Sequence, residues 1–193
     1  QFPVKITQTC PKTASLIISQ FGGPDGELAA SMRYLSQRYT MPCKEVGGLL
    51  TDIGTEELAH LEMICAIIYQ LTKNLTPEQA KTAGFDAYYI DHTTALWPTA
   101  AAGVPFNACE FQSKGDIISD LTEDLAAEQK ARTTYDNILR TVRDPEVAAP
   151  IRFLRQREVV HFQRFGEALR IVQEKLDSKN FYAFNPEFDR CKK

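Results

Sequence analysis

Residues 53–63 read IGTEELAHLEM, and in this stretch Glu57 precedes His60 by three positions. The same spacing returns in a second stretch, REVVHF, which carries Glu158 and His161. Positions i and i+3 lie on one face of an α-helix, so each glutamate–histidine pair can hold one object together. The chain has 193 residues and three histidines, so two such pairs are unexpected by chance. They predict two helices that carry one function.

The two pairs belong to a longer internal repeat with an offset of 101 residues. Besides the pairs, the offset maps Glu27 onto Glu128 and Tyr34 onto Tyr135. Each of these glutamates precedes its glutamate–histidine pair by 30 residues, and each tyrosine follows its glutamate by seven, on the same helical face. The chain thus contains a two-helix unit used twice, whose repeated polar residues include two glutamates, a histidine and a tyrosine.

Helical periodicity dominates the chain, and no convincing run of alternating apolar residues indicates a strand. Pro42 and the step from Asp144 to Pro145 are signals for the start of a helix. The predicted long helices cover about residues 25–40, 42–73, 115–143 and 145–176, with a crossover at 74–114 and an irregular tail at 177–193. This arrangement is typical of an antiparallel four-helix bundle of the ferritin-like kind. We therefore predict an all-α fold in a single domain over residues 1–193.

Glu57 and His60 lie in an apolar stripe of the second helix, and Glu158 and His161 lie in an apolar stripe of the fourth. The stripes are completed by Leu50, Ile53, Ile64, Ile67 and Leu71 and by Ile151, Leu154, Phe165, Ala168 and Val172. Such stripes face the core, where a bare charge costs several kcal/mol. Because two divalent cations would neutralise four converging glutamates, we predict a dinuclear metal site in the core. Oxygen and nitrogen ligands without thiolate suit manganese or iron and disfavour copper(I) or zinc.

Four stretches carry a resemblance to a known family. They are GELAA at residues 26–30, the stretch at 53–63, AAGVPF at 101–106, and REVVHF with the Arg164 and Phe165 that follow it. In combination they resemble the manganese catalases over nearly the whole chain. The similarity is greatest to the short members found in the spore coats of endospore-forming bacteria. The resemblance implies a ferritin-like bundle with two manganese ions in its core.

The resemblance also implies a role for each repeated residue. The implied metal ligands are Glu27, Glu57, His60, Glu128 and His161. Glu57 is implied to bridge the two ions, and Glu158 to be the catalytic acid/base beside them. In di-iron relatives the counterpart of Glu158 is a metal ligand, so its role is the point at which two interpretations differ. Tyr34 falls where the family often has a tyrosine that orients a ligand carboxylate, and Tyr135 is its repeat counterpart.

The implied activity is the dismutation of hydrogen peroxide to water and dioxygen, which makes the chain a catalase with hydrogen peroxide as its substrate. Two alternatives stay open. One is a di-iron oxidase or ferroxidase on the same bundle, with iron in place of manganese. The other is a mainly structural spore-coat protein with vestigial catalysis. The resemblance also implies a homo-oligomer, a hexamer or a dimer, with other spore-coat proteins as further partners.

Composition and charge argue against several classes of protein. A net charge of −3 argues against a nucleic-acid partner, and no apolar run reaches the roughly 18–20 residues that span a membrane. The first residues lack the features of a signal peptide. The five cysteines form no Cys-x-x-Cys pair, so we expect reduced thiols. These features predict a cytoplasmic protein, which the resemblance would also assemble into the spore coat.

Several charged residues outside the repeat are interpreted as solvated. Glu56 and Glu62 do not fit the buried stripe of the second helix, so we expect both to face solvent. His92 in the crossover matches nothing in the repeat and is interpreted as a surface or capping residue. The basic residues interpreted as mostly a solvated face are Arg152, Arg155, Arg157 and Arg164.

Overall fold

The computed structural model describes residues 2–88, 97–110 and 112–176. Within these ranges the regular structure is helical, apart from an isolated β-bridge between Thr99 and Pro105. The α-helices are α1 (Pro11–Ile17), α2 (Ser19–Gly22), α3 (Glu27–Gln37), α4 (Lys44–Thr72), α5 (Pro77–Thr82), α6 (Ile117–Thr141) and α7 (Pro145–Lys175). Short 3₁₀ turns cover Arg38–Thr40, Asp86–Tyr88, Ala101–Gly103 and Ala108–Glu110. The predicted all-α class is confirmed.

The four long helices α3, α4, α6 and α7 form a bundle built from two hairpins. α3 packs mainly on α4, and α6 packs mainly on α7. The links within the hairpins, residues 38–43 and 142–144, are short, so each pair runs antiparallel. The connection from α4 to α6, residues 73–116, is the long crossover and holds α5. The predicted antiparallel four-helix bundle with one long crossover is therefore confirmed.

The long helices begin and end within a few residues of the predicted bounds. α3 ends at Gln37, earlier than predicted, because Arg38–Thr40 continues the chain as a tighter 3₁₀ turn. α7 begins as expected after Asp144, whose carboxylate accepts a hydrogen bond from the Glu146 N–H at 2.9 Å. The irregular tail predicted at 177–193 lies outside the described residues.

Two apolar clusters fill the bundle, and a polar layer lies between them. On α4, Leu50 belongs to one cluster and Ile64 to the other. On α7 the order is reversed, because Leu154 packs in the cluster of Ile64 and Phe165 packs in the cluster of Leu50. The reversed order shows that α4 and α7 run antiparallel. The middle turns of both helices therefore face a layer that neither apolar cluster fills.

Two expectations from composition can be compared with the structure. Among the described residues, no helix is both long and apolar enough to span a lipid bilayer. Four of the five cysteines lie in the described ranges, and all four are free thiols, which agrees with the expectation of reduced cysteines. They are Cys10, Cys43, Cys65 and Cys109.

Gly22 in α2 allows the crossover to approach the N-terminal segment closely. A Cβ atom at Gly22 would lie 2.4 Å from the carbonyl carbon of Pro98 and 2.4 Å from the amide nitrogen of Thr99. Because backbone atoms cannot move aside as a flexible side chain can, we expect Gly22→Ala to lower the free energy of unfolding by about 1–3 kcal/mol. Urea unfolding monitored by circular dichroism measures this change.

Gly48→Ala is the matched control for this substitution. No atom lies within 4 Å of the position that its Cβ would take, and Gly48 is in the interior of α4. Alanine is the better helix former, so this variant should be more stable by up to about 1 kcal/mol. Equal unfolding midpoints for the two variants would contradict the close packing at Gly22.

Candidate metal centre

Six ionisable side chains meet in the middle of the bundle, and each is at most 2% exposed. Glu27 is the first residue of α3, and the others lie in the middle turns of α4, α6 and α7. The six are Glu27, Glu57, His60, Glu128, Glu158 and His161. The structure therefore brings together every residue for which the sequence predicts a role as ligand or acid/base.

Glu57 lies at the centre of this group, between the two imidazole rings. Its Oε2 atom is 2.7 Å from His60 Nδ1, and its Oε1 atom is 2.7 Å from His161 Nδ1. The rings are nearly parallel, with 5.5 Å between their centroids and 22° between their planes. Both Nδ1 atoms thus face the centre, and each contacts one oxygen of the same carboxylate.

The other three glutamates surround this core at slightly longer distances. Glu27 Oε2 and Glu158 Oε1 lie 3.9 Å and 4.0 Å from His60 Nδ1. Glu128 Oε2 lies 3.6 Å from His161 Nδ1. Four residues offer ligand atoms that all lie within 4.8 Å of one another, namely Glu57, His60, Glu158 and His161. Glu158 therefore belongs to the closest group of potential ligand atoms.

The two repeated tyrosines bind the outer glutamates, and each binds the glutamate of the other repeat. The Tyr34 hydroxyl on α3 donates to Glu128 Oε1 on α6 at 2.5 Å. The Tyr135 hydroxyl on α6 donates to Glu27 Oε1 on α3. In both cases the second oxygen, Oε2, is the one near a histidine Nδ1. The tyrosines thus hold the carboxylates with one oxygen facing the centre.

Burial and mutual repulsion raise the pKa of three of the carboxyl groups. Burial is the main cause of the raised pKa of Glu158, and the charges of Glu128, Glu27 and Glu57 add to it. Burial also raises the pKa of Glu27 and of Glu128. Glu57 is the exception. Burial would raise its pKa, but the charges of the two histidines outweigh burial and hold its pKa well below the usual range.

The same carboxylates act on the histidines in the opposite sense to burial. Burial would lower the pKa of both rings, because it disfavours the charged form. Glu57 and Glu56 nevertheless raise the pKa of His60 to about 10, and Glu57 and Glu128 raise the pKa of His161 to about 12. The centre therefore attracts positive charge, which either protons or metal ions can supply.

Glu56 also reaches the centre, and the prediction that it faces solvent is wrong. Its Oε1 atom lies 3.5 Å from His60 Nε2, and its Oε2 atom lies 3.1 Å from His161 Nε2. The side chain is 28% exposed. A glutamate at the edge of the buried stripe is long enough to fold over the outer edges of both rings. Helical periodicity alone does not show this, because it places the backbone position and not the end of a long side chain.

Arg157 differs from its predicted place on a solvated face, because it is half-buried and bound to Glu56. Its Nε lies 2.6 Å from Glu56 Oε1, and its Nη2 lies 3.1 Å from Glu56 Oε2. The sequence contains a signal for this pair, since the offset of 101 residues maps Glu56 onto Arg157. The two equivalent positions carry opposite charges and meet where the two halves of the bundle join.

Several buried atoms at the centre make no hydrogen bond of good geometry in the described structure, although three of the contacts to a charged neighbour are only 2.7–3.5 Å long. These atoms are Glu57 Oε1, Glu128 Oε2, Glu158 Oε1 and Nδ1 and Nε2 of His161, together with His60 Nε2. A buried polar atom without a partner costs about 1–3 kcal/mol, so such a group points to something that these atoms bind. The donor types are carboxylate oxygen and imidazole nitrogen. These donors fit divalent ions of the manganese and iron type.

Comparison with known proteins agrees with this chemistry. The sequence model of the family described as manganese containing catalase matches residues 1–188. The chain belongs to the manganese catalase family. The ferritin-like bundle that the sequence predicts is thereby confirmed, and manganese is the metal that the family supports.

Individual relatives in the manganese catalase family align with most of the length of this chain. Protein CotJC of Bacillus subtilis is 53% identical over 94% of this chain and 96% of its own length. A probable manganese catalase of Clostridium acetobutylicum is 34% identical over 92% of this chain and 79% of its own length. The crystal structure of KatB, a manganese catalase from Anabaena, has a TM-score of 0.80 at 30% identity and covers 88% of this chain and 76% of its own.

A second buried polar cluster lies beside the centre, and it was not predicted from the sequence. Asp124 on α6 is fully buried, and neither carboxylate oxygen has a hydrogen-bond partner among the described residues. Burial raises its pKa well above the usual value, although the charge of the buried Arg33 opposes this. The sequence does contain an indication of its burial. Asp120, Asp124 and Glu128 follow one another at spacings of four, on the buried face of α6.

Other residues that were predicted to face solvent can be compared with the structure. Glu62 is exposed, as expected. Arg155 binds Asp136 at 3.0 Å in a partly exposed ion pair. His92 lies outside the described residues, so its interpretation as a surface or capping residue stays a prediction.

Proposed function

We propose that this chain is a catalase that dismutates hydrogen peroxide to water and dioxygen at a pair of manganese ions. The observation that carries the proposal is the convergence of four glutamates and two histidines, all nearly inaccessible to solvent, around one point. A charged group of this kind would destabilise the core without cations. Membership of the manganese catalase family supports manganese as those cations.

Five residues are proposed to hold the metals. They are Glu27, Glu57, His60, Glu128 and His161. The position of Glu57, with one oxygen near each Nδ1 atom, supports its role as the bridge between two ions. Bound manganese would supply a centre that alternates between a reduced and an oxidised pair, so that each half of the dismutation moves two electrons. The protein's part is to hold the ions, exclude bulk water and move protons.

Glu158 is proposed as the residue that moves the proton. Its side chain is buried, and its Oε1 atom has no hydrogen-bond partner in the described structure. A carboxyl group in such surroundings holds a proton more readily than one in water, which suits general acid/base work near neutral pH. The Glu158 oxygen would accept a proton from peroxide and return it to the departing oxygen.

Tyr34 and Tyr135 are proposed to orient ligand carboxylates. Each hydroxyl binds one oxygen of its partner, Glu128 or Glu27. The other oxygen of each glutamate then stays directed at the centre. Hydrogen bonds of this kind to ligand groups typically change metal affinity or activity 10–100-fold, so the tyrosines belong to the proposed site.

One observation favours the alternative of a di-iron oxidase or ferroxidase. Glu158 lies in the tightest group of potential ligand atoms, and a fourth glutamate ligand is typical of di-iron bundles. The proposals are separated by loading the purified protein with manganese or with iron. We expect oxygen release from hydrogen peroxide, followed with an oxygen electrode, in the manganese form. A protein with two bound manganese ions that releases no oxygen, and an iron form that oxidises ferrous ion, would overturn the catalase proposal.

The third alternative is a mainly structural coat protein, and it makes a different prediction about assembly. We propose that the chain forms a homo-oligomer, a hexamer or a dimer, and that it assembles into the spore coat with other coat proteins, as the sequence resemblance implies. Light scattering of the purified protein measures the oligomer. A structural protein would keep its oligomeric state and its place in the coat after the metal centre is removed.

Manganese is expected to stabilise the fold by mass action. A ligand that binds only the folded state adds about 2.7 kcal/mol at one hundred times its dissociation constant. For a chain of this length this corresponds to a rise in melting temperature of about 5–10 °C. Differential scanning fluorimetry with and without manganese measures the rise, and a chelator should reverse it.

His60→Ala is the control for the manganese-dependent melting temperature. It removes a proposed ligand at the centre and leaves the rest of α4 unchanged. Its melting temperature should respond weakly to manganese. An equal rise in this variant and in the native chain would mean that manganese acts at another place.

A further inference from the structure

Glu56 is placed to act on both histidines at once. Its two oxygens lie 3.5 Å from His60 Nε2 and 3.1 Å from His161 Nε2. These nitrogens are on the sides of the rings that face away from Glu57. Both nitrogens are buried and make no hydrogen bond of good geometry in the described structure, and the Glu56 carboxylate lies within ion-pair distance of each.

Arg157 fixes the position of Glu56. Its Nε and Nη2 atoms bind the two oxygens of the carboxylate at 2.6 Å and 3.1 Å, which is the two-point geometry that guanidinium and carboxylate groups favour. The side chains of Arg157 and Glu56 are each 28% exposed. The carboxylate is thus held by an arginine on its outer side and faces two imidazole rings on its inner side.

The repeat explains why one carboxylate can serve both rings. Glu56 and Arg157 occupy equivalent positions in the two halves of the chain, and α4 and α7 run antiparallel. Equivalent residues that touch each other lie beside the axis that relates the halves. A side chain beside this axis is close to both histidines, because the histidines are themselves equivalent.

We propose that Glu56 is a positioning residue that accepts hydrogen bonds from the Nε2–H groups of both histidines, and that Arg157 holds it for this task. The inference rests on the proposed function in one respect, namely that the histidines bind metal through Nδ1. A carboxylate behind a metal-bound histidine fixes the tautomer and the ring orientation and makes the ring a better donor. Here a single carboxylate does this for two rings, so its loss should affect both metal ions.

If Glu56 and Arg157 formed only a surface ion pair, with no effect on the histidines, removing Glu56 would have different consequences. A partly exposed pair between arginine and glutamate contributes little to stability and nothing to the histidines. Removing Glu56 would then leave metal binding and the imidazole N–H groups unchanged. The two interpretations can be separated by observing the histidines directly.

The test compares Glu56→Gln with the native chain after loading each with cobalt(II), a paramagnetic probe of metal-bound histidine. In proton NMR, we expect two strongly shifted N–H signals in the native protein, both slow to exchange with solvent. In Glu56→Gln both signals should shift or exchange faster. Manganese titration should show apparent affinity for both ions lowered roughly 10–100-fold. Glu62→Gln, an exposed glutamate on the same helix, should match the native chain.

Further variants keep the outcomes distinct. Arg157→Lys preserves the charge but not the two-point contact, so its NMR signals and metal affinity should be intermediate. Unchanged signals and affinity in Glu56→Gln would overturn the proposal, and so would a shift of only one N–H signal. If the native chain itself binds no pair of metal ions, the proposed function fails. If the native chain binds two ions and Glu56→Gln leaves both the N–H signals and the metal affinity unchanged, only the role of Glu56 is refuted.

Discussion

Glu57→Ala is expected to bind no stable pair of manganese ions and to release no oxygen from hydrogen peroxide. Glu57 is fully buried, and each of its oxygens lies 2.7 Å from one histidine Nδ1. The substitution therefore removes the carboxylate that both proposed metal positions share. Glu27 and Glu128 are held by tyrosines in their present orientation, which keeps them from taking the place of Glu57.

The same substitution should also destabilise the fold before any metal is added. Glu57 is the main source of the raised pKa of His60 and of His161, which burial alone would lower. Without it, the two buried rings lose the carboxylate that contributes most to holding their positive charge. Removal of one partner from a buried ion pair typically costs about 3–5 kcal/mol. Urea unfolding of the chelator-treated protein measures this cost.

Glu62→Ala serves as the control, because Glu62 is exposed on the same helix. It should retain metal, activity and stability within about 0.5 kcal/mol. Glu57→Ala protein with two tightly bound manganese ions would contradict the proposed bridge. Normal oligomers and spore-coat assembly without metal or activity would instead support the alternative of a mainly structural protein.

The fold could be predicted closely because its signals are local or repeated. The stripe around Glu57 and His60 sets the buried face of α4, and the same stripe occurs in α7. Asp144 caps the start of α7, and Pro42 lies two residues before the start of α4. The end of α3 was less predictable, because the change from an α-helix to a 3₁₀ turn after Gln37 depends on how the chain turns toward α4.

The composition of the site was also predictable, because the duplication marks its members. The repeated glutamates, histidines and tyrosines in the buried stripes, namely Glu27, Tyr34, Glu57 and His60 with their counterparts Glu128, Tyr135, Glu158 and His161, lie at the centre or bind a residue there. The pairing was not predictable. Tyr34 binds Glu128 and Tyr135 binds Glu27, because the two-helix units face each other and their side chains cross the interface. A sequence offset shows equivalence but does not show which copy touches which.

Glu56 and Asp124 were missed for different reasons. Glu56 has no glutamate counterpart, since the offset leads to Arg157, and a search for identical residues passes over such a pair. Asp124 has its signal in the spacing of four that links it to Glu128. A single aspartate at such a spacing also fits an exposed helical face, so only the structure reveals that it is buried.

Glu158→Gln is expected to keep both manganese ions and to lose most of its activity. Glutamine has nearly the same shape as glutamate, so the fold and the five proposed ligands should remain in place. A glutamine amide cannot accept and return a proton as a carboxylate does. Loss of a general acid/base typically lowers turnover about 10²–10⁴-fold. Initial rates of oxygen release at saturating peroxide, divided by the manganese content of each sample, measure this loss.

Metal content distinguishes this result from the di-iron interpretation. The Oε1 atom of Glu158 lies 4.0 Å from His60 Nδ1 and is near enough to share a metal ion. If Glu158 is a ligand, Glu158→Gln should lose one ion, and the activity lost should follow the metal lost. If it is the acid/base, the variant should hold two ions per chain and turn over slowly. Glu158→Asp adds a second criterion, because a shorter carboxylate keeps the proton chemistry and should recover part of the rate at unchanged metal content. Full activity in Glu158→Gln with two bound ions would refute both roles.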